Sequence, residues 1–179
     1  MCLLLAACAG PQGPSAPASP GPTGVAELDA IVAATLSGDA SQLRSFIGFT
    51  QARCTSAQGL GGPPKCAAAE PEGTPVEVLP LLGPEGSFIR QEEMESWGGL
   101  RAAGLYAAYE VSDAAYSDEN YPAGEYALVF SGPAEAPGGF TLQVTQGRIV
   151  RIDYAQSNAP LIRAQDIERY LVVPLLGSP

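Results

Sequence analysis

Cysteine and histidine content decides most of the chemistry that this sequence can support. The chain contains no histidine, which excludes nucleophiles in which a histidine activates serine or cysteine. Cys54 and Cys66 bound the stretch CTSAQGLGGPPKC, which is rich in glycine and proline. A zinc site is the rival interpretation, but two cysteines supply only about half of its usual four ligands. We therefore predict a Cys54–Cys66 disulfide that holds this loop in an oxidising compartment.

A cluster of acidic residues is the other group that could do chemistry. The segment DAAYSDENYPAGE contains Asp113, Asp118 and Glu119. Calcium takes about six or more oxygen ligands, which the carboxylates of one loop can supply. The spacing matches no known calcium loop, however, and a solvated connection between strands has the same composition. We predict no metal and no cofactor, and these three carboxylates are the candidates if a cation binds.

Charge and composition exclude one class of partner. The 179 residues carry 19 Asp and Glu against 9 Lys and Arg, which gives a net charge of −10. Such a chain repels nucleic acid and anionic lipid head groups, so we predict no nucleic-acid binding. An apolar content of 46% with 16% charged residues is typical of a globular chain with room for one core.

Hydrophobic periodicity predicts an N-terminal pair of helices. Val25 to Leu36 has the spacing of an amphipathic helix, which Ser37-Gly38 would end. Asp39 would begin a second short helix, with Gln42 placed for a capping box. Further helices are expected over residues 89–97 and from Pro160 onward.

The remaining elements are predicted strands. They cover residues 76–82, 105–111, 126–130, 140–144 and 148–154. Gly147 would take a positive φ in a tight hairpin turn, and Pro80 would place its strand at an edge or a bulge. In the last strand Val150, Ile152 and Tyr154 are expected on one face. The predicted fold class is α+β, with N-terminal helices packed on a curved, cone-like antiparallel sheet.

The first ten residues, MCLLLAACAG, resemble an export signal. The apolar run is too short to span a bilayer, which takes about 20 residues. Leu5-Ala6-Ala7-Cys8 resembles the lipobox of bacterial lipoproteins, in which a peptidase cuts before a cysteine that carries fatty acids such as palmitate. The resemblance implies that Cys8 is the lipidated N-terminus of a protein in the bacterial cell envelope. No Lys or Arg precedes the apolar run, which departs from the family pattern.

The stretch after Cys8, AGPQGPSAPASPGPTG, has the composition of a flexible tether. It is uncharged and consists mostly of Pro, Gly, Ser and Ala, so it cannot bury enough apolar surface to offset its ordering entropy. The predicted organisation is a signal-peptide remnant over 1–7, a lipidated cysteine with its tether over 8–24, and one domain over 25–179.

The order of the predicted elements is similar to that of the ketosteroid-isomerase-like superfamily, also called nuclear-transport-factor-two-like. The stretch that carries the resemblance is ELDAIVAATLSGDASQLRSFI; the rest matches in the order of elements. In that fold a curved sheet wraps the helices into a cone with an open pocket. The resemblance therefore implies a pocket. The Cys54–Cys66 loop stands where many members have a third helix.

Isomerases of that superfamily use a pocket carboxylate as general base, with a tyrosine hydroxyl nearby. The candidates in this sequence are Asp153 beside Tyr154, and Glu110 beside Tyr109. Neighbours on a strand face opposite sides of the sheet, so the two members of each pair would be separated. Asp153 is expected on a solvent face, where it would form a charge pair with Arg151.

Three functions are compatible with these residues. The favoured one is a lipid-anchored, non-enzymatic domain that binds a small ligand or another envelope protein, with the membrane as a partner through Cys8. The second is a small-molecule enzyme of the isomerase type, which needs a carboxylate and a tyrosine hydroxyl in one cavity. The third is an accessory module whose pocket is filled by its own side chains.

Overall fold

The computed structural model describes residues 21–135, 138–155 and 162–174. In it the chain folds into two helices and an open sheet of eight strands. The helices are α1 (Ala26–Ser37) and α2 (Ala40–Arg44). The strands are β1 (Thr50–Arg53), β2 (Pro75–Leu82), β3 (Ser87–Arg90), β4 (Gly104–Val111), β5 (Tyr126–Ser131), β6 (Gly139–Thr145), β7 (Arg148–Ala155) and β8 (Ile167–Val172). Short 3₁₀ helices cover Gln91–Ser96 and Ala164–Asp166. Within these ranges, no helix has the length and apolar character needed to cross a membrane.

The sheet has the strand order β1-β2-β7-β6-β5-β4-β8, with β3 paired to β2. All of its pairs are antiparallel except β2–β7, which is parallel at Leu81 and Leu82. The prediction that Pro80 places its strand at an edge or a bulge is wrong, because β2 has partners on both sides and its pairings show no shift of register. Pro80 lies opposite Phe88 of β3, between the part of β2 that pairs with β1 and the part that pairs with β7. A missing backbone N–H is tolerated at such a change of partner.

Both N-terminal helices form as predicted. Gly38 adopts a left-handed φ of 70° and ends α1. The Asp39 carboxylate accepts hydrogen bonds from the backbone N–H groups of Ser41 and Gln42 and so caps α2. Leu36 differs from the prediction, since it is 44% exposed and lies outside the buried stripe of α1.

The main core lies between these helices and one face of the sheet. Helix residues Leu28 and Ile31 are buried together with the large side chains that point to this face from β5, β6 and β7, namely Leu128, Phe130, Phe140, Leu142, Val144, Ile149 and Ile152. Burial of each such side chain contributes about 1.5–3 kcal/mol before entropy is counted. The helix side of the sheet is therefore filled by packed side chains.

A bulge in β7 changes which residues face the core. Gln143 pairs with Arg151 whereas Val144 pairs with Ile149, so Val150 is an extra residue on its strand. Ile149 and Ile152 consequently both face the core, where each is fully buried. The prediction that Val150, Ile152 and Tyr154 share one face is therefore wrong for Val150, whereas Ile152 and Tyr154 do share a face, opposite Leu142 and Phe140.

One predicted helix forms only in part, and another is replaced by a strand. The helix expected over residues 89–97 is a 3₁₀ helix confined to Gln91–Ser96, because residues 87–90 form strand β3. Ile167 and Leu171, expected on a C-terminal helix, lie in β8, which pairs with β4. Pro160, the expected start of that helix, lies outside the described residues. Pairing with the free edge of β4 outweighs the helix-like spacing of the two apolar residues.

Candidate functional site

The sheet face opposite the helices carries a buried row of polar side chains. Thr141 and Gln143 of β6 alternate with the core residues of that strand, and Arg151 of β7 lies beside Gln143. These three side chains are buried, with Arg151 only 3% exposed. Buried polar groups are normally hydrogen-bonded. Gln143 and Arg151 have partners within the fold, whereas Thr141 Oγ1 has none among the described residues.

The loop over residues 112–125, which connects β4 to β5 and is called the covering loop below, provides partners for Arg151. The Nη1 group of Arg151 donates to the backbone carbonyls of Tyr116, Tyr121 and Pro122 at 3.1, 2.8 and 3.0 Å. The guanidinium also lies 5.9 Å from the centre of the Tyr116 ring. Arg151 therefore helps to hold the covering loop on the sheet, together with Gln143, whose Oε1 accepts from the backbone N–H of Gly124 at 3.1 Å.

Asp153 accepts the remaining hydrogen bonds that the structure gives this arginine. Its Oδ1 accepts from Arg151 Nε at 2.7 Å, and its Oδ2 accepts from Arg151 Nη2 at 3.0 Å and from Gln143 Nε2 at 3.1 Å. The charge pair predicted from the sequence is thus present, but its predicted solvent face is wrong. The covering loop lies over the pair, and only 17% of the Asp153 side chain is exposed.

A cavity of about 210 Å³ lies beside this pair on the same face of the sheet. Its walls come from β2, β4, β6, β7, the covering loop and the segment that precedes β8. The lining residues are Leu82, Gly83, Tyr109, Val111, Ala115, Tyr116, Gln143, Arg151, Asp153, Tyr154, Arg163 and Asp166.

Asp166 is the residue of this cavity whose bonding is incomplete. It ends the 3₁₀ helix Ala164–Asp166 and is 7% exposed. Its Oδ2 accepts from Arg163 Nε at 2.8 Å, whereas its buried Oδ1 has no hydrogen-bond partner among the described residues. A buried acceptor without a donor costs about 1–3 kcal/mol, and more when it is charged. A group that donates a hydrogen bond to this oxygen would recover that cost.

Tyr109 lines the same cavity from strand β4. Its ring contacts Tyr170 edge-on, with 6.1 Å between ring centres, and the residue is 1% exposed. Burial, together with the negative charge of Asp166, raises the pKa of Tyr109 well above the ordinary value of a tyrosine. The hydroxyl therefore keeps its proton and can donate as well as accept a hydrogen bond.

The second catalytic candidate, Glu110, lies apart from the cavity. Its carboxylate accepts two hydrogen bonds from the guanidinium of Arg169 in β8, one of them from Nε at 3.1 Å. Tyr109 and Glu110 alternate along β4, as the sequence predicts for strand neighbours. The structure thus brings Asp153, but not Glu110, to the cavity.

The candidate cation ligands are not brought together. Asp118 accepts from Tyr116 Oη and from the backbone N–H groups of Asn120 and Tyr121, and these bonds, the tyrosine first, lower the pKa of Asp118. Asp113 and Glu119 are exposed, and among the described residues these three carboxylates do not converge into a group that could hold a metal ion.

The described ranges contain one group of three potential metal ligands, Cys54, Cys66 and Glu70. Its cysteines form the predicted disulfide, with a Cα–Cα distance of 4.9 Å, so they are not thiolate ligands. Arg90 of β3 donates to the Glu70 carboxylate at 2.6 Å and to the Lys65 carbonyl at 2.8 Å. The arginine lowers the pKa of Glu70 and ties the disulfide loop to the sheet.

No family model matches the sequence, and no curated protein or solved structure is significantly similar to it. The function is therefore inferred from the cavity, from the charges around it and from the motif at the N-terminus.

Proposed function

We propose that the protein is a lipid-anchored domain outside the cytoplasm that binds a small ligand in the cavity beside Asp153 and Asp166. The observation that carries this proposal is the buried Oδ1 of Asp166, which has no donor among the described residues. Both oxygens of Asp153 are already occupied. Asp166 is thus the carboxylate of this cavity that keeps an unpartnered acceptor; because this oxygen has almost no accessible surface, a ligand reaches it only if the side chain turns toward the cavity.

The dimensions of the cavity favour a small ligand. Its volume of about 210 Å³ is below the range of about 300–1,000 Å³ that is usual for drug-sized ligands. Tyr116 of the covering loop lines the cavity and is 41% exposed. A ligand can therefore reach the cavity from solvent past this aromatic side chain.

The cavity can be blocked at Gly83 without strain in the backbone. A Cβ atom added at Gly83 meets no atom within 4 Å, and the residue does not have a positive φ. Gly98 has the same two properties but does not line this cavity. It therefore provides a matched control for a bulky substitution.

We expect Gly83→Phe to abolish ligand binding while the melting temperature stays close to that of the wild type. Native mass spectrometry of the full chain, purified from its own host, measures the ligand as a stoichiometric mass adduct. Gly98→Phe should keep the adduct. An adduct that survives in Gly83→Phe would place the ligand elsewhere on the protein.

Membrane attachment is the second part of the proposal, and it rests on the lipobox at Cys8 and the uncharged tether after it. We expect Cys8→Ala to move the protein from the membrane pellet to the soluble fraction and to abolish its labelling with palmitate. Cys2→Ala is the control and should still sediment with membranes. If the Cys8 variant sediments like the wild type, the lipid anchor is disproved.

We also propose that the domain is a variant of the ketosteroid-isomerase-like fold, with its sheet curved around the helices. The order of elements supports this, since two helices precede the strands and the β4–β7 meander packs on them. The proposed ligand site differs from the cone interior of that superfamily. Core residues such as Leu28 and Phe130 fill the helix side, and the cavity lies on the other face.

An isomerase-like enzyme is the second candidate function, because Asp166 and Tyr109 line one cavity. In such an enzyme Asp166 would remove a proton next to a carbonyl group, and the Tyr109 hydroxyl would donate to the resulting enolate oxygen. This function requires that the purified protein exchange that proton with deuterium from the solvent. Ligand binding alone does not produce exchange, so the measurement separates the two functions.

A further inference from the structure

We infer that the ligand is a neutral, hydroxylated six-membered ring of monosaccharide size. This inference rests on the proposed function, because it specifies the chemistry of the ligand that the same cavity takes.

The charges in the cavity wall argue against a charged ligand. Asp153 is paired with Arg151 at 2.7 Å, and Asp166 is paired with Arg163 at 2.8 Å. Each carboxylate in the wall thus has its own guanidinium, and the four groups sum to zero. A charged ligand would lose its hydration without gaining an unpaired counter-charge. A neutral ligand avoids this loss.

The hydrogen-bonding groups in the wall favour a ligand that carries a hydroxyl group. The Oδ1 of Asp166 needs a donor, while the protonated hydroxyl of Tyr109 can donate to an acceptor. A hydroxyl group both donates and accepts, whereas an ammonium group only donates and a carboxylate only accepts. One hydroxyl, or two adjacent ones, can therefore satisfy Asp166 and Tyr109 together.

The other wall residues suit the faces of a ring. Tyr109 and Tyr116 contribute aromatic side chains, and Leu82 and Val111 contribute aliphatic ones. These groups can cover the C–H faces of a saturated ring, while its hydroxyl groups at the edge reach the polar residues. A linear polyol lacks such faces, which is why the inference names a ring.

Glucose, glucosamine and glucuronate test the inference, because they share one ring and carry zero, positive and negative charge. Titration of the full-length protein, followed by saturation-transfer NMR of each sugar, gives the three affinities. We expect glucose to bind the wild type about tenfold tighter or more than either charged sugar.

Substitution of Asp166 sharpens the test, because its outcome depends on charge and not on shape. Asp166→Asn keeps the size of the side chain but leaves the Arg163 guanidinium without a counter-charge. We expect this variant to prefer glucuronate over glucose, which reverses the order of the wild type. Glu110→Gln is the matched control, since it breaks a carboxylate–arginine pair with Arg169 outside the cavity. Its order of affinities should remain that of the wild type.

Each other outcome overturns the inference. A wild type that prefers glucosamine or glucuronate would refute a neutral ligand but would leave ligand binding in the cavity intact. Failure of all three sugars to bind would refute the hydroxylated ring, while the adduct lost in Gly83→Phe would still support a cavity site. An unchanged order in Asp166→Asn would show that Asp166 does not contact the ligand.

Discussion

Replacement of Arg151 by methionine is expected to lower the free energy of unfolding by about 3–5 kcal/mol, the range for breaking a buried ion pair. The substitution leaves the Asp153 carboxylate without its cation and three carbonyls of the covering loop without their donor. The lower part of the range is expected, because water reaches the 17% of the Asp153 side chain that is exposed. Urea denaturation followed by the fluorescence of Trp97, the single tryptophan, measures the loss.

Two further variants show whether the loss comes from the buried charge. Arg169→Met breaks the ion pair with Glu110. The Arg169 side chain is 64% exposed, so the loss of this pair should change stability little. The double variant Arg151→Met/Asp153→Leu leaves no unpaired charge and should recover part of the stability that Arg151→Met loses. If Arg151→Met is no less stable than Arg169→Met, the arginine does not hold the covering loop on the sheet.

Short-range patterns in the sequence predict much of this fold. Helix α1 and strands β4 to β7 lie within a residue or two of their predicted bounds, and α2 begins after its predicted cap, Asp39, because apolar spacing and capping residues act locally. Gly147 takes the positive φ, 69°, that its hairpin turn requires. Strands β3 and β8 could not be predicted in this way. The conformation of β8 depends on β4, which is remote along the chain, and that of β3 depends on pairing with β2, the strand just before it, which its apolar spacing does not reveal.

The site is less predictable than the fold, because long-range contacts create it. The sequence predicts that Arg151 and Asp153 pair, since residues two apart on a strand share a face. Their burial depends on the covering loop, whose position over β7 has no local signal. Arg163 and Asp166 form a contact between residues three apart, which is also typical of exposed pairs. Nothing in the sequence distinguishes this pair as the wall of a cavity.

Removal of the disulfide with Cys54→Ser/Cys66→Ser is expected to lower the free energy of unfolding by about 3 kcal/mol. The bridge closes a loop with a sequence separation of 12, and in the unfolded chain that closure removes conformational freedom. The corresponding fall in melting temperature is roughly 6–12 °C for a chain of this size. Calorimetry of the two full-length proteins measures it. The double variant is preferred to a single one, which would leave an unpaired thiol able to form a bridge between two molecules.

The native fold should survive the loss of the bridge, because other contacts hold the same loop. Arg90 still binds Glu70 and the Lys65 carbonyl, and Cys54 lies at the end of a segment that pairs with β2. We therefore expect the variant to keep the circular dichroism of the wild type below its lower melting temperature. Wild type treated with a reductant should melt with the variant, since both lack the same covalent link. If the untreated wild type melts at that temperature too and titrates with thiols at both positions, the bridge does not form in the protein.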